Sequence, residues 1–102
     1  MNNDVWKDFA EHQVSHSMAH YLTTIHELRS SQGYARVSDV ARELAVTKGA
    51  ASVQLKHLKE KGFVAEDANR HLHLTEQGDD VARQVMYTRH VLVRLLAGLL
   101  GV

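Results

Sequence analysis

Arg36 to Gly62, RVSDVARELAVTKGAASVQLKHLKEKG, carries two helical patterns in tandem. Val37, Val40, Ala41 and Leu44 recur at the i, i+3, i+4, i+7 spacing of a buried helix face. Ser38 and Asp39 stand at the start of that first helix, where a side-chain oxygen can accept from free backbone N–H groups. Ala45-Val46 predicts a turn, and Thr47 predicts the cap of a second helix running to about Lys61, stopped by Gly62. Ala51, Leu55 and Leu58 form the inward stripe of that second helix. Lys48, Ser52, Gln54, Lys56 and Lys59 fall on its other faces. A helix packed along one side and carrying Lys, Ser and Gln on the others suits the DNA major groove, where core packing must coexist with phosphate and base contacts. The same pattern also suits an ordinary amphipathic hairpin with a solvated basic face, so the flanking segments must decide.

Two short β-prone runs come directly after the second helix, Phe63-Val64-Ala65-Glu66 and Leu72-His73-Leu74-Thr75. Asp67-Ala68-Asn69-Arg70-His71 separates them with turn-forming Asp and Asn. A hairpin directly after a groove-binding helix is a wing, and Arg70 and His71 near its tip are placed to meet a sugar-phosphate backbone. Upstream, Val14, Met18, Tyr21, Leu22, Ile25 and Leu28 predict a long helix from about Asp4 to Ser31, ended by Gln32-Gly33. Downstream, Thr75 predicts the cap of a last helix from Glu76 to near Gly98, with Val81, Val85, Leu92, Leu95, Leu96 and Leu99 on its apolar side. The expected fold is mainly α with a small β-hairpin: a winged helix-turn-helix with long N- and C-terminal helices. Residues 1–75 form the DNA-binding part, and residues 76–102 form a connecting and dimerisation helix.

Length and composition agree with one compact domain. A chain of 102 residues buries a modest core, and 44% hydrophobic content is that of a globular protein. There is no cysteine, so disulfides and thiolate metal sites are excluded. The start, MNNDVWKDFAEHQ, lacks the basic and apolar regions of a signal peptide, and the apolar run from Leu95 to Val102 is too short to span a bilayer. A cytoplasmic location without a membrane partner is expected. No Ser/His/Asp, paired-carboxylate or Gly-rich phosphate constellation supports an enzyme or a small organic substrate.

The net charge of zero conceals a segregation along the chain. Residues 33–62 hold six cations (Arg36, Arg42, Lys48, Lys56, Lys59, Lys61) against three carboxylates (Asp39, Glu43, Glu60), a net +3. Residues 63–80 hold Arg70 against Glu66, Asp67, Glu76, Asp79 and Asp80, a net −4. Positive charge gathers on the helix-turn-helix, as an electrostatic footprint for nucleic acid does. The acidic remainder implies modest nonspecific affinity, so productive binding calls for two copies or an effector.

Met18-Ala19-His20-Tyr21-Leu22-Thr23-Thr24-Ile25-His26-Glu27-Leu28 followed by Gly33-Tyr34-Ala35-Arg36-Val37-Ser38-Asp39-Val40-Ala41 resembles the start of the diphtheria toxin repressor family of metal-dependent regulators. Leu74-Thr75-Glu76-Gln77-Gly78 resembles the L-T-x-x-G after that family's wing, and Tyr87-Thr88-Arg89-His90 its next helix. The GYARVSDVA stretch is closest to the manganese-responsive branch. The resemblance covers about residues 15–102. It implies a repressor that binds double-stranded operator DNA as a homodimer when loaded with a divalent metal, manganese or iron. It also implies that most of the family's C-terminal metal-binding and dimerisation domain is missing, whether the chain is a fragment or a short form.

The resemblance also implies the site residues. Thr47, Lys48, Gly49, Ala50, Ser52 and Val53 occupy the groove-facing start of the recognition helix, with Ser38 beside them. Gly49 stands where the iron branch has proline and Val53 where it has glutamine. Small and apolar groups there favour thymine-methyl and shape readout, hence an A·T-rich preference. Arg36, Lys56, Lys59 and Arg70 are expected on phosphates. Among metal ligands, His20 aligns with the family's first-helix ligand and His90 with a family histidine; Thr23 and Arg94 stand where carboxylates are usual. His12, His16 and His20 recur at i, i+4, i+8, on one face of an unbroken helix, which adds His16 as a further donor. The exposed leucines of the last helix predict self-association. Two rival readings remain open: a metal-independent winged-helix regulator of the multiple-antibiotic-resistance type, and a winged-helix protein-interaction module that binds no DNA.

Overall fold

The computed structural model describes residues 15–101. Helix α1 spans His16–Gln32, α2 Val37–Leu44, and α3 Lys48–Glu60. Strands β1 (Val64–Glu66) and β2 (Leu72–Leu74) come next, and α4 (Glu76–Leu99) closes the chain. The mainly helical winged helix-turn-helix read from the sequence is the fold observed.

Ser15 is extended (φ −77°, ψ 164°), and its Oγ accepts from the Met18 amide at 3.1 Å. This N-cap starts α1 at His16, which corrects the expectation of one continuous helix from Asp4; Asp4 to Val14 lie outside the described residues. The i, i+4 register of α1 therefore begins at His16, and His12 lies outside the described residues. Gly33 ends α1 at φ 87°, returning its N–H to the Arg29 carbonyl.

The start of α2 differs in detail from expectation. Arg36 takes the N-cap position, and Ser38 has no cap bond; Asp39 supplies the oxygen, accepting from the Arg36 amide at 3.1 Å. Its second oxygen binds the Arg42 guanidinium at 2.8 Å. Ala45 turns the chain through a left-handed conformation, φ 55°. Thr47 then caps α3 as expected, its Oγ1 accepting from the Ala50 amide at 3.1 Å.

The core lies where α1, α2, α3, the hairpin and the start of α4 meet. Leu22, Ile25, Leu55, Leu58, Leu72 and Val40 are its largest wholly buried side chains. The two strands pair antiparallel, Val64 opposite Leu74 and Glu66 opposite Leu72. The Leu72 amide also donates to the Ala35 carbonyl at 2.7 Å, tying the hairpin to the segment before α2.

The L-T-x-x-G motif closes the wing onto α4. Thr75 Oγ1 accepts from the Gly78 amide at 3.1 Å and donates to the Gly62 carbonyl at 2.6 Å. The Thr75 amide donates to the Phe63 carbonyl. A Cβ on Gly78 would lie 2.0 Å from that same carbonyl oxygen, so only glycine lets α4 approach so closely. Beyond Val85 the helix leaves the core, and the molecule extends 47 Å along its longest axis. Val81 and Val85 pack on the core as expected, but Leu92, Leu95, Leu96 and Leu99 are exposed. No helix among the described residues is long and apolar enough to cross a membrane.

Candidate nucleic-acid interface

Helix α3 turns Ala51, Leu55 and Leu58 inward, which presents the opposite face of its first turns to solvent. Thr47, Lys48, Gly49, Ala50, Ser52, Val53 and Lys56 are all exposed there. Nothing lies within 4 Å of the position a Gly49 Cβ would take. Val53 is 55% exposed on this face, so its methyl groups are available to an apolar contact. Among the described residues, Lys48 and Lys56 have no carboxylate partner, so both ammonium groups remain available to an anion. Lys59 is different: its Nζ donates to both carboxylate oxygens of Glu66 at 3.1 Å. That pair joins the end of α3 to β1, and it engages intramolecularly a cation expected on phosphate.

Asp67 builds the wing tip. Its Oδ1 accepts from the Asn69 and His71 amides at 2.8 and 2.9 Å, and its Oδ2 lies 2.8 Å from His73 Nε2. The His73 hydrogen bond, followed by those from the His71 and Asn69 amides, lowers the Asp67 carboxyl to about 2. This scaffold holds Arg70 at φ 62°, exposed and without an ion pair among the described residues.

Three residues from two segments meet between α2 and the wing. Tyr34 stacks on the His71 ring, centroids 5.3 Å apart and planes 26° from parallel. The Arg36 guanidinium lies 5.3 Å from the Tyr34 centroid, and its Nη2 is 3.5 Å from His71 Nε2. Sequence reasoning misses Tyr34 as a site residue. Its ring partner His71 lies in a different segment, and the bond from the Leu72 amide to the Ala35 carbonyl brings the two together. The hint in sequence is an aromatic beside Arg36 in a loop otherwise rich in small and polar residues. Ser38 is exposed on the first turn of α2.

The expected metal ligands are less well gathered. His16 and His20 come together on α1, with Nε2 atoms 3.2 Å apart. His90 is exposed on α4, and Thr23 is buried with its hydroxyl donating to the His20 carbonyl. Among the described residues no group of three or more His, Asp or Glu side chains is placed to hold a metal. His20 and His90 therefore do not form a complete family-type centre with the other described residues.

A helix, a helix-turn-helix with an exposed basic second helix, a two-stranded wing and a long closing helix define a winged helix-turn-helix protein. Residues 13–72 match the family model of the iron dependent repressor, N-terminal DNA binding domain. The chain belongs to the iron-dependent repressor family. It is 33% identical over 86 residues to the HTH-type transcriptional regulator MntR of Bacillus subtilis (strain 168), covering 84% of this chain and 60% of that protein. The chain thus spans about 60% of the length of the MntR relatives it matches. Among solved structures it is similar to T. acidophilum IdeR, with 30% identity and a TM-score of 0.60 over 63% of this chain and 30% of that one. The S. aureus MepR–DNA complex superposes with a TM-score of 0.72 over 94% of this chain and 74% of its own, at 18% identity, a likeness of fold alone. MntR and MepR are transcriptional regulators rather than enzymes.

Proposed function

We propose that the protein is a DNA-binding transcriptional regulator, a repressor that docks the N-terminal face of α3 in the major groove. The observation that carries this is the pairing of packed and open faces on α3. Among the described residues, Lys48 and Lys56 stand without carboxylate partners beside small and apolar groups, Gly49, Ala50, Ser52 and Val53. The cations contact phosphates, and the small groups read thymine methyls and groove shape. Thr47 and Ser38 lie alongside, Arg36 reaches the backbone from its seat on Tyr34, and Arg70 does so from the wing. Lys59 contributes by fixing the wing through Glu66, and reaches phosphate only if that pair opens.

Binding takes place as a homodimer. Leu92, Leu95, Leu96, Leu99 and Leu100 are all more than half exposed, and covering one such side chain contributes roughly 1.5–3 kcal/mol. A second copy of α4 supplies the matching apolar surface, and a two-fold pair presents two α3 helices to half-sites about 34 Å apart. A response to manganese or iron engages His20 and His90 together with donors outside the described residues. The working location is the cytoplasm.

Mobility shift with a random-sequence duplex at low salt tests the DNA-binding reading. Retarded DNA that is released by raising salt is the expected result. Failure to bind any duplex while the protein remains dimeric would instead favour a protein-interaction module. A binding selection should return A·T-rich sites, and a strictly G-dependent consensus would contradict the proposed readout.

A further inference from the structure

The start of α1 carries a side-chain arrangement that DNA docking does not use. His16 and His20 are both exposed, one helical turn apart, with Nε2 atoms facing each other at 3.2 Å. Their rings meet edge to face, centroids 4.7 Å apart at 85°. Two imidazole nitrogens each about 2.0–2.1 Å from one ion lie about 3.3–3.4 Å apart in a tetrahedral shell and about 2.9 Å apart at a right angle. The observed separation falls between those values. In the metal-free protein this contact is a hydrogen bond from one Nε2 to the other; with the proton on Nδ1 of both exposed rings, ring rotation aims both Nε2 lone pairs at one ion, and the helix backbone need not move. The backbone beneath is held at both ends: Ser15 caps the first turn, and the Thr23 hydroxyl donates to the His20 carbonyl.

We propose that His16 and His20 form a two-histidine chelate for a late first-row divalent ion (zinc, nickel or copper) on the exposed face of α1. Neutral imidazole donors give the site its preference. Affinity at nitrogen sites rises from manganese through cobalt and nickel to copper, with zinc also strong, whereas manganese favours carboxylate and carbonyl oxygen. No described carboxylate joins the pair, because no group of three His, Asp or Glu side chains is gathered among the described residues. Water fills the remaining coordination positions. The chelate discriminates against manganese and does not need His90; it shares His20 with the manganese or iron response proposed above, so an ion held by the pair competes for that imidazole, and it is independent of DNA binding.

Calorimetric titration of the full chain with Zn(II), Ni(II) and Mn(II) near neutral pH tests it. Zn(II) and Ni(II) should bind, and Mn(II) should bind at least about tenfold more weakly than Zn(II). His16→Gln and His20→Gln should each weaken Zn(II) binding about tenfold or more, because each removes one of two donors. Both side chains are exposed, so thermal melts of the variants without metal should match the parent. Unchanged Zn(II) affinity in His16→Gln overturns the proposal. So does loss of Zn(II) binding in His90→Gln with His16→Gln unaffected, or Mn(II) bound as tightly as Zn(II). Zinc binding by a protein that retards no DNA would leave this site standing and remove the regulatory reading.

Discussion

The helix-turn-helix and the far half of α4 place their apolar residues by opposite rules. In α3, Ala51, Leu55 and Leu58 are turned wholly inward while lysine and small side chains face out. In α4 beyond Val85, Leu92, Leu95, Leu96 and Leu99 face out, with Leu99 83% exposed. The first arrangement folds a single chain. The second leaves that chain's core untouched, and in the proposed homodimer its apolar surface meets a second copy. The residue type is the same in both, and the neighbouring elements decide its use: α3 is covered by α1, α2 and the wing, whereas the apolar residues of α4 pack on the core only as far as Val85.

The largest expected effect separates those two uses of leucine. Leu55→Ala removes a wholly buried side chain and should cost about 2–5 kcal/mol of stability. Leu96→Ala, at a half-exposed position, should cost an isolated chain less than about 0.5 kcal/mol and show itself as weakened self-association in sedimentation. Equal losses for the two at low protein concentration would mean that α4 is packed on its own domain.

Gly78 tests how closely the two regions are joined. Alanine there gains about 1 kcal/mol of helix propensity, yet its Cβ would press on the Phe63 carbonyl at 2.0 Å. Displacing a backbone group costs about 3 kcal/mol, so Gly78→Ala should lose about 2 kcal/mol net in chemical denaturation. A neutral or stabilising result would show that α4 can shift away from the wing freely.

The caps, the stripe of α3 and the wing were legible because each depends on residues close in sequence. Thr47 and Thr75 bond amides three positions on, and periodicity alone picks out Ala51, Leu55 and Leu58. Periodicity does not mark the N-cap at Ser15, because Val14 and Met18 keep the apolar spacing in the sequence on either side of it. Nor could it place the pairs that span distance: Lys59 with Glu66, and Tyr34 with His71. The excess of leucines in α4 predicts their exposure, while the point at which they leave the core depends on contacts with elements distant in sequence. The metal reading was the least legible, since ligand positions aligned by resemblance carry no information on whether donors converge.

A smaller effect concerns the wing alone. The Asp67 carboxyl sits at about 2, depressed from the ordinary 3.8, so its contribution to wing order is present above the ordinary value and is lost as pH falls through about 2. The amide resonances of Asn69 and His71 should track that titration, while those of α4 beyond Val85 should not. A midpoint near the ordinary carboxylate value would mean that the carboxylate is not bonded to His73 and the two amides.

The most direct test of DNA docking by α3 is the salt dependence of duplex affinity for the parent and for Lys48→Ala/Lys56→Ala. Each lost phosphate contact reduces the slope of log affinity against log salt by about 1, so the double variant should be flatter by about 2 and weaker on every sequence alike. Parent-like slope and affinity in the double variant would contradict docking through this face of α3.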